Sequence, residues 1–449
     1  MEKQTMIATF DPSNGNKLAE YATHGPEEIQ TILRHSREEF FLWKRSSLDD
    51  RAHALRAIGT ALQTEKYSLA GLIRAEMGKL EGEALAEIEK CAAASLYYAE
   101  NISDLLGPIP VPTEAKKSYV SFEPLGPVLA IMPWNFPFWQ VVRCAAPAIA
   151  AGNSVILKHA GNVTGCALAL ERLFRTATGR DHLFRTVLLS GKEALDLIRR
   201  PEIAAVSLTG STEVGRLVGA AAGSALKKCV LELGGSDAYV ILKDANLEKA
   251  AKTCAASRLI NAGQSCIAAK RFIVEAPVLR KFTELFIKEI NSKTLAPLAR
   301  NDLRLQLQEQ VERSVKQGAQ LLAGGKIPSG HGFYYPATVL ANIKPGNCAF
   351  EEELFGPVAA IVEAKNEEEA IQLANQSEFG LGAAVFTEDE KKAEFICQSE
   401  LEAGSCFANA LVRSDSRLPF GGIKNSGYGR ELSVFGIREF TNIKTIYLD

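Results

Sequence analysis

The sequence predicts an α/β protein made of two doubly wound units, and three observations carry that prediction. At about 100–200 residues per unit, a chain of 449 residues suggests two to four structural units. Between residues 119 and 242, short β-branched runs alternate with Ala- and Leu-rich helical stretches, the pattern of a parallel sheet wrapped by helices. The same alternation restarts beyond residue 247.

Taken in order, the first hundred residues read as helices. Pro26 opens one, followed by Ile29, Ile32, Leu33 and Phe40 at helical spacing. Ser47, Asp49 and Asp50 offer caps for a second, carrying Leu55, Ile58 and Leu62. A third covers roughly Glu81 to Leu106, before Gly107-Pro108, Pro110 and Pro112 stop helix formation. A strand-like pair follows at Tyr119–Phe122 and Val128–Met132. Further strand-like runs lie at Ser154–Lys158, Val187–Ser190, Ala205–Thr209 and Ala238–Leu242. The second unit begins with a helix at Leu247–Leu259, a strand at Arg271–Glu275 and a charged helix from Val278 to Ile290. Runs at Val358–Val362, Ala383–Thr387 and Asn442–Leu448 complete it. The chain shows no internal repeat and no low-complexity tract.

Composition narrows the function classes. Hydrophobic residues make up 47% and charged residues 23%, enough apolar sequence to bury a large core. Lys plus Arg total 51 and Asp plus Glu total 53, so the net charge of −2 gives no whole-chain argument for nucleic acid or an anionic membrane. The most apolar stretch, Val141 to Leu157, is broken by Arg143, Pro147, Gly152 and Asn153, so no membrane span is expected. The N-terminus lacks the basic-then-apolar pattern of a secretory signal. The nine cysteines include no Cys-x-x-Cys, so reduced thiols and a cytoplasmic location are expected. Six scattered histidines without His-Glu-x-x-His give metal catalysis no support.

Seven segments carry candidate chemistry, each beside a plainer alternative. In Pro133-Trp134-Asn135-Phe136-Pro137, Asn135 offers an amide to a developing oxyanion, or is simply a turn residue between prolines. Lys158 ends a strand where open α/β sheets bind ligands, or is an ordinary solvated lysine. Gly210-Ser211 opens a helix whose free amides suit a phosphate, or is a plain N-cap. In Glu232-Leu233-Gly234-Gly235, Glu232 is a general base if buried with a raised pKa, or a surface carboxylate before a turn. Gly263-Gln264-Ser265-Cys266 presents a candidate nucleophile, although most cysteines are inert buried thiols. Glu353 and Phe355 lie in a Glu-x-Phe-Gly-Pro run that suits sugar hydroxyls, or a helix end with a solvated acidic face. The Gly-rich segment Pro419–Glu431 is a loop near ligand or an interface, or a plain flexible loop.

Together and in this order, these segments resemble the aldehyde dehydrogenase superfamily, and the resemblance covers nearly the whole chain. It implies a cofactor-binding domain over 1–111 and 125–234 and a catalytic domain over 235–436. A small β oligomerisation element would combine 112–124 with 437–449 in a homodimer or homotetramer. It implies Cys266 as the nucleophile, with Asn135 and the Cys266 amide as the oxyanion hole. Glu232 would be the base that hydrolyses the thioester. Trp134, Lys158, Gly210, Ser211, Glu353 and Phe355 would bind the cofactor.

Many relatives carry a ribose-binding Glu where this chain has Gly161 in Lys158-His159-Ala160-Gly161. A carboxylate there repels a 2′-phosphate, so its absence permits NADP, and dual use of NAD and NADP leaning toward NADP is expected. The runs around Lys158 and Glu232 resemble the short bacterial succinate-semialdehyde dehydrogenases. That branch implies Arg143 and Ser414 as substrate contacts, with a structural salt bridge as the alternative for Arg143. A second substrate arginine of some relatives is Ile260 here, and Arg417 is the candidate to compensate. A cysteine two residues beyond the nucleophile in some relatives is Ala268, so no local disulfide switch is expected. The rival readings are oxidation of glutarate semialdehyde or an aliphatic aldehyde, a cofactor-independent thioester hydrolase or esterase, and a non-catalytic protein that keeps the fold.

Overall fold

Two large sheets organise the chain, whose computed structural model describes residues 5–449. The first has six strands in the order Gly427–Tyr428, Lys228–Glu232, Ala205–Thr209, Val128–Met132, Val155–His159 and Phe184–Thr186. All neighbours pair in parallel except the short edge strand Gly427–Tyr428. Val128–Met132 is buried along its whole length, as a strand covered on both faces must be. From it the chain steps outward through Val155–His159 to Phe184–Thr186, then crosses back to Ala205–Thr209 on the other side. That reversal opens a crevice at the C-terminal strand ends.

The second sheet has seven strands, ordered Gln320–Ala323, Thr338–Ala341, Val358–Ala364, Arg271–Glu275, Ala238–Ile241, Gly382–Phe386 and Ser405–Ala408. It is parallel apart from Gln320–Ala323, which runs antiparallel to Thr338–Ala341. The chain enters it directly from Lys228–Glu232, through residues 233–237. A third, three-stranded sheet joins Ile109–Pro110, Lys117–Pro124 and Thr441–Leu448 antiparallel, and brings the end of the chain back to its first quarter.

Two helices position the site. Trp139–Ala150 is buried at every residue, which its apolar composition demands. Glu81–Leu106 packs against it and ends where Gly107-Pro108 begins, as its sequence predicts.

Several readings of individual elements need correction. The described residues open with an antiparallel hairpin, Met6–Phe10 and Lys17–Ala22, around the turn Asp11-Pro12-Ser13-Asn14-Gly15, and not with helix. A further helix, Lys66–Met77, follows Leu48–Thr64 after a single intervening residue. The apolar run at Val187–Ser190 is not a strand. Ser190 caps the helix Gly191–Ile198, and the strand is the preceding Phe184–Thr186. The strand-like pair around residues 124–127 does not pair, because its members belong to different sheets. Lys228–Glu232, unassigned from sequence, is a strand of the first sheet.

Candidate active site

The segment leading to Cys266 has an unusual backbone. Asn261 and Ala262 both sit at φ 52°, and Gly263 follows at φ 77°. Left-handed conformations at two consecutive non-glycine residues cost about 1–2 kcal/mol each, so outside contacts must hold them. Asn261 Nδ2 donates to the carbonyls of Asn135 (2.8 Å) and Gln264 (3.1 Å). Its backbone amide donates to Glu83 (2.9 Å). Gln264 Oε1 accepts from the Ala299 amide (2.9 Å), and Arg258 donates to the Gly263 carbonyl (2.7 Å). A Cβ on Gly263 would lie 2.3 Å from the backbone of Gly356, so only glycine fits.

Cys266 itself is partly buried, and burial pushes its thiol up to about 12 against the opposing pull of Lys270 and Arg143. Lys270 donates to the carbonyls of Ser265 and Cys266. A Cβ on Gly235 would lie 2.7 Å from the Cys266 carbonyl oxygen, and one on Gly234 would lie 2.7 Å from Glu353 Oε2. The two glycines after Glu232 therefore let that strand end press against both the cysteine segment and Glu353.

Asn135 follows the strand Val128–Met132. Its Nδ2 donates to the Gln264 carbonyl (3.1 Å), two residues before Cys266. An amide nitrogen has two protons, so one remains for an incoming oxygen. His159 supports this turn, with Nε2 2.9 Å from the Pro137 carbonyl. Nδ1 accepts from the Ala160 amide (2.9 Å), so Nε2 carries the proton of a ring that burial keeps neutral, its pKa pushed down to about 4.

Glu232 ends the strand Lys228–Glu232, fully enclosed, and neither carboxylate oxygen has a hydrogen-bond partner among the described residues. Burial, and secondarily the charge of Glu431, hold its carboxyl well above the ordinary range, against Arg143 and Arg430. A proton-holding carboxyl in that setting has the affinity a general base needs.

The remaining sequence-predicted residues collect around the crevice of the six-stranded sheet. Trp134 and Phe355 meet edge to face at 5.8 Å. Lys158, the penultimate residue of its strand, is half-buried and forms no ion pair among the described residues. Gly210 and Ser211 follow Ala205–Thr209, and Ser211 caps the helix Thr212–Ser224. Glu353 accepts from the Gly235 amide (3.1 Å) and lies 3.4 Å from Lys270. An uncompensated cation and a helix start with free amides fit a dinucleotide laid across these strand ends. At Gly161, a Cβ would lie 3.1 Å from the Ile7 side chain of the N-terminal hairpin and within 4 Å of nothing else, so a side chain there must displace Ile7 slightly.

Cys266 opens onto a cavity of about 230 Å³ that Arg143, Ser414, Phe136, Trp139, Ile260 and Lys90 also line. Arg143 faces it but is tied to Glu431 in a buried ion pair, reaches Thr209 (3.3 Å) and covers the Phe420 ring at 4.7 Å. Its charge is therefore balanced from within, as in the salt-bridge alternative. Arg417 does not compensate for Ile260: it pairs with Asp415 (2.7 Å), is exposed and does not line the cavity.

Three groups escaped sequence reasoning. Glu431 and Lys90 reach the site from residues distant in sequence. Glu87 accepts from the Phe138 (2.8 Å) and Trp139 (3.0 Å) amides and pairs with Lys79. The available signals were Glu87 and Lys90 on successive turns of one predicted helix, and the place of Glu431 at the end of the Gly-rich segment Pro419–Glu431.

Over residues 1–446 the chain matches the aldehyde dehydrogenase family. It is 45% identical over 455 residues to an NAD(P)+ succinate semialdehyde dehydrogenase of Escherichia coli, covering 99% of this chain and 98% of that one. It is 40% identical over 456 residues to an NADP+ succinate-semialdehyde dehydrogenase of Mycobacterium tuberculosis, covering 98% and 99%. A crystal structure of succinic semialdehyde dehydrogenase from Streptococcus pyogenes, in complex with NADP+, superposes with a TM-score of 0.96 at 33% identity, covering 98% of this chain and 99% of that one.

Proposed function

Because the chain belongs to the aldehyde dehydrogenase family, we propose that it oxidises succinate semialdehyde to succinate, with NAD or NADP as the hydride acceptor. The observation that carries this reading is the cavity that joins Cys266 to the hydroxyl of Ser414 and a wall holding basic side chains. A small aldehyde with a carboxylate at its far end matches that polarity.

Trp134, Lys158, Gly210, Ser211, Glu353 and Phe355 would hold the dinucleotide, with Glu353 toward its nicotinamide ribose and Lys158 toward its adenosine ribose. When bound, it supplies a nicotinamide ring that accepts hydride from the substrate carbon. The Cys266 sulfur adds to the aldehyde carbon to give a thiohemiacetal. Its oxygen is received by Nδ2 of Asn135 and the Cys266 amide. Burial keeps the resting thiol protonated, so its proton passes to the aldehyde oxygen as the sulfur adds, and is released to water when hydride departs to leave the thioester. Glu232 then takes a proton from the water that hydrolyses the thioester, which frees succinate. Arg143 and Ser414 contact the substrate, Arg143 as a wall whose charge Glu431 already balances.

We assign the cofactor domain to 1–111 and 125–234 and the catalytic domain to 235–436. The strands of 112–124 and 437–449 would join subunits in a homodimer or homotetramer. Nine free cysteines suit the cytoplasm, and no helix among the described residues is long and apolar enough to cross a membrane.

Initial rates with succinate semialdehyde and with butanal, each with NAD and NADP, test the reading. A large kcat/KM preference for the charged aldehyde is expected. Equal or better turnover of butanal would leave an aldehyde dehydrogenase of a different substrate class. Glu232→Gln separates the two chemical steps: a first-turnover burst of reduced cofactor should persist while steady turnover falls about 10²–10⁴-fold. A proportional loss of burst and steady rate would remove Glu232 from hydrolysis.

A further inference from the structure

We propose that Lys90 is the specificity-determining cation of this cavity, its ammonium receiving the terminal carboxylate of the substrate together with the hydroxyl of Ser414. The inference rests on the reading of the cavity as the site of a carboxylated aldehyde, and names the group that selects it.

Four basic side chains line the cavity: Lys79, Lys90, Arg143 and Arg413. Two are already neutralised. Lys79 pairs with Glu87, both side chains almost fully enclosed, and Arg143 pairs with Glu431 beneath the Phe420 ring. Arg413 is exposed, where water screens its charge. Lys90 differs from all three. It extends from the helix Glu81–Leu106 to place Nζ 2.6 Å from Ser414 Oγ and 4.2 Å from the centroid of the Trp139 ring. No carboxylate lies within ion-pair distance of it among the described residues.

The hydrogen bonding completes the case. An ammonium has three protons, and Ser414 accepts one of them. Because Ser414 accepts from Lys90, its own hydroxyl proton is free to donate. Ammonium and hydroxyl thus present donors side by side on the wall of a cavity that also holds Cys266, an arrangement suited to the two oxygens of a carboxylate. The Trp139 face steadies the cation without cancelling its charge. Burial, with repulsion from Arg143, pushes Lys90 down to about 8, and the more distant carboxylates of Glu87 and Asp415 oppose this only in part. A bound carboxylate would supply a direct counter-charge.

The test compares the ratio of kcat/KM for succinate semialdehyde over butanal in the wild type, Lys90→Met, Lys90→Arg and Arg413→Met. The ratio is independent of how much enzyme is folded. Lys90→Met keeps the stem over Trp139 and should lower the ratio at least about tenfold, through KM for the charged aldehyde. Lys90→Arg should recover much of it, and Arg413→Met should leave it within about threefold of wild type. If the wild type prefers the charged aldehyde while Lys90→Met keeps the full ratio, the assignment to Lys90 is wrong and the function stands. If the loss follows Arg413 instead, the anchoring cation is at the rim and the proposal fails. A wild type that favours butanal overturns the functional reading and the proposal with it.

Discussion

Replacing Lys79 with Met should destabilise the protein by about 3 kcal/mol although the substitution preserves most of the side-chain volume. Lys79 and Glu87 form an ion pair whose side chains are 0% and 1% exposed. Breaking such a pair from one side costs about 3–5 kcal/mol, because the remaining charge is stranded without water. The lower end applies here. Glu87 keeps the amides of Phe138 and Trp139, and a carboxylate at a helix start retains about 0.3–2 kcal/mol of stabilisation. With an m-value of about 3 kcal/mol per molar urea, the unfolding midpoint falls by about 1 M at fixed protein concentration. Glu87→Gln should cost a similar amount by stranding Lys79. The double variant, which removes both charges, should be more stable than the sum of the two losses by about 2 kcal/mol. A Lys79→Met midpoint within about 0.3 M of wild type, or strictly additive losses, would refute the reasoning that the two charges depend on each other.

Two further expectations concern activity. Glu431→Gln removes one of the charges that hold the Glu232 carboxyl up and leaves Arg143 free to pull it down, so the Glu232 pKa falls. A base with a lower pKa stays deprotonated further into acid, so the acid limb of the kcat–pH profile should move to lower pH; an unmoved or rising limb would contradict this. Gly161→Glu restores a carboxylate at the crevice and presses on Ile7, and should cut kcat/KM with NADP relative to NAD about tenfold or more. An unchanged cofactor ratio would show that position 161 does not face the 2′-position.

Elements whose own residues decide their structure were legible in the sequence. Ala205–Thr209, Arg271–Glu275 and Leu247–Leu259 have the residue bounds their β-branched runs and helical periodicity predict. Legibility failed where a signal was missing or pointed two ways. The N-terminal hairpin has short strands in which only Thr9 is buried, so no apolar alternation marks a core face and its turn residues were the only cue. The break between Leu48–Thr64 and Lys66–Met77 carries neither Gly nor Pro. Val187–Leu189 is apolar because it is buried, yet Ser190 already belongs to the next helix. At the site, motif residues announced themselves by their neighbours. Lys90 and Glu87 did not, because tertiary folding supplies their partners: Lys90 meets Ser414 across 324 positions.

The left-handed turn at Asn261–Gly263 bears on when the protein becomes reactive during its synthesis. Its conformation is held by Asn135, Glu83, Ala299 and the backbone of Gly356, contacts that come from a helix and from loops made well before and well after it. A nascent chain that has just produced Cys266 has none of the later contacts and carries an ordinary thiol on a relaxed segment. The aimed sulfur forms only when the two halves have closed on each other. An organised nucleophile thus requires chain on both sides of it, and a copy lacking Ala299 and Gly356 lacks contacts that hold the turn in place.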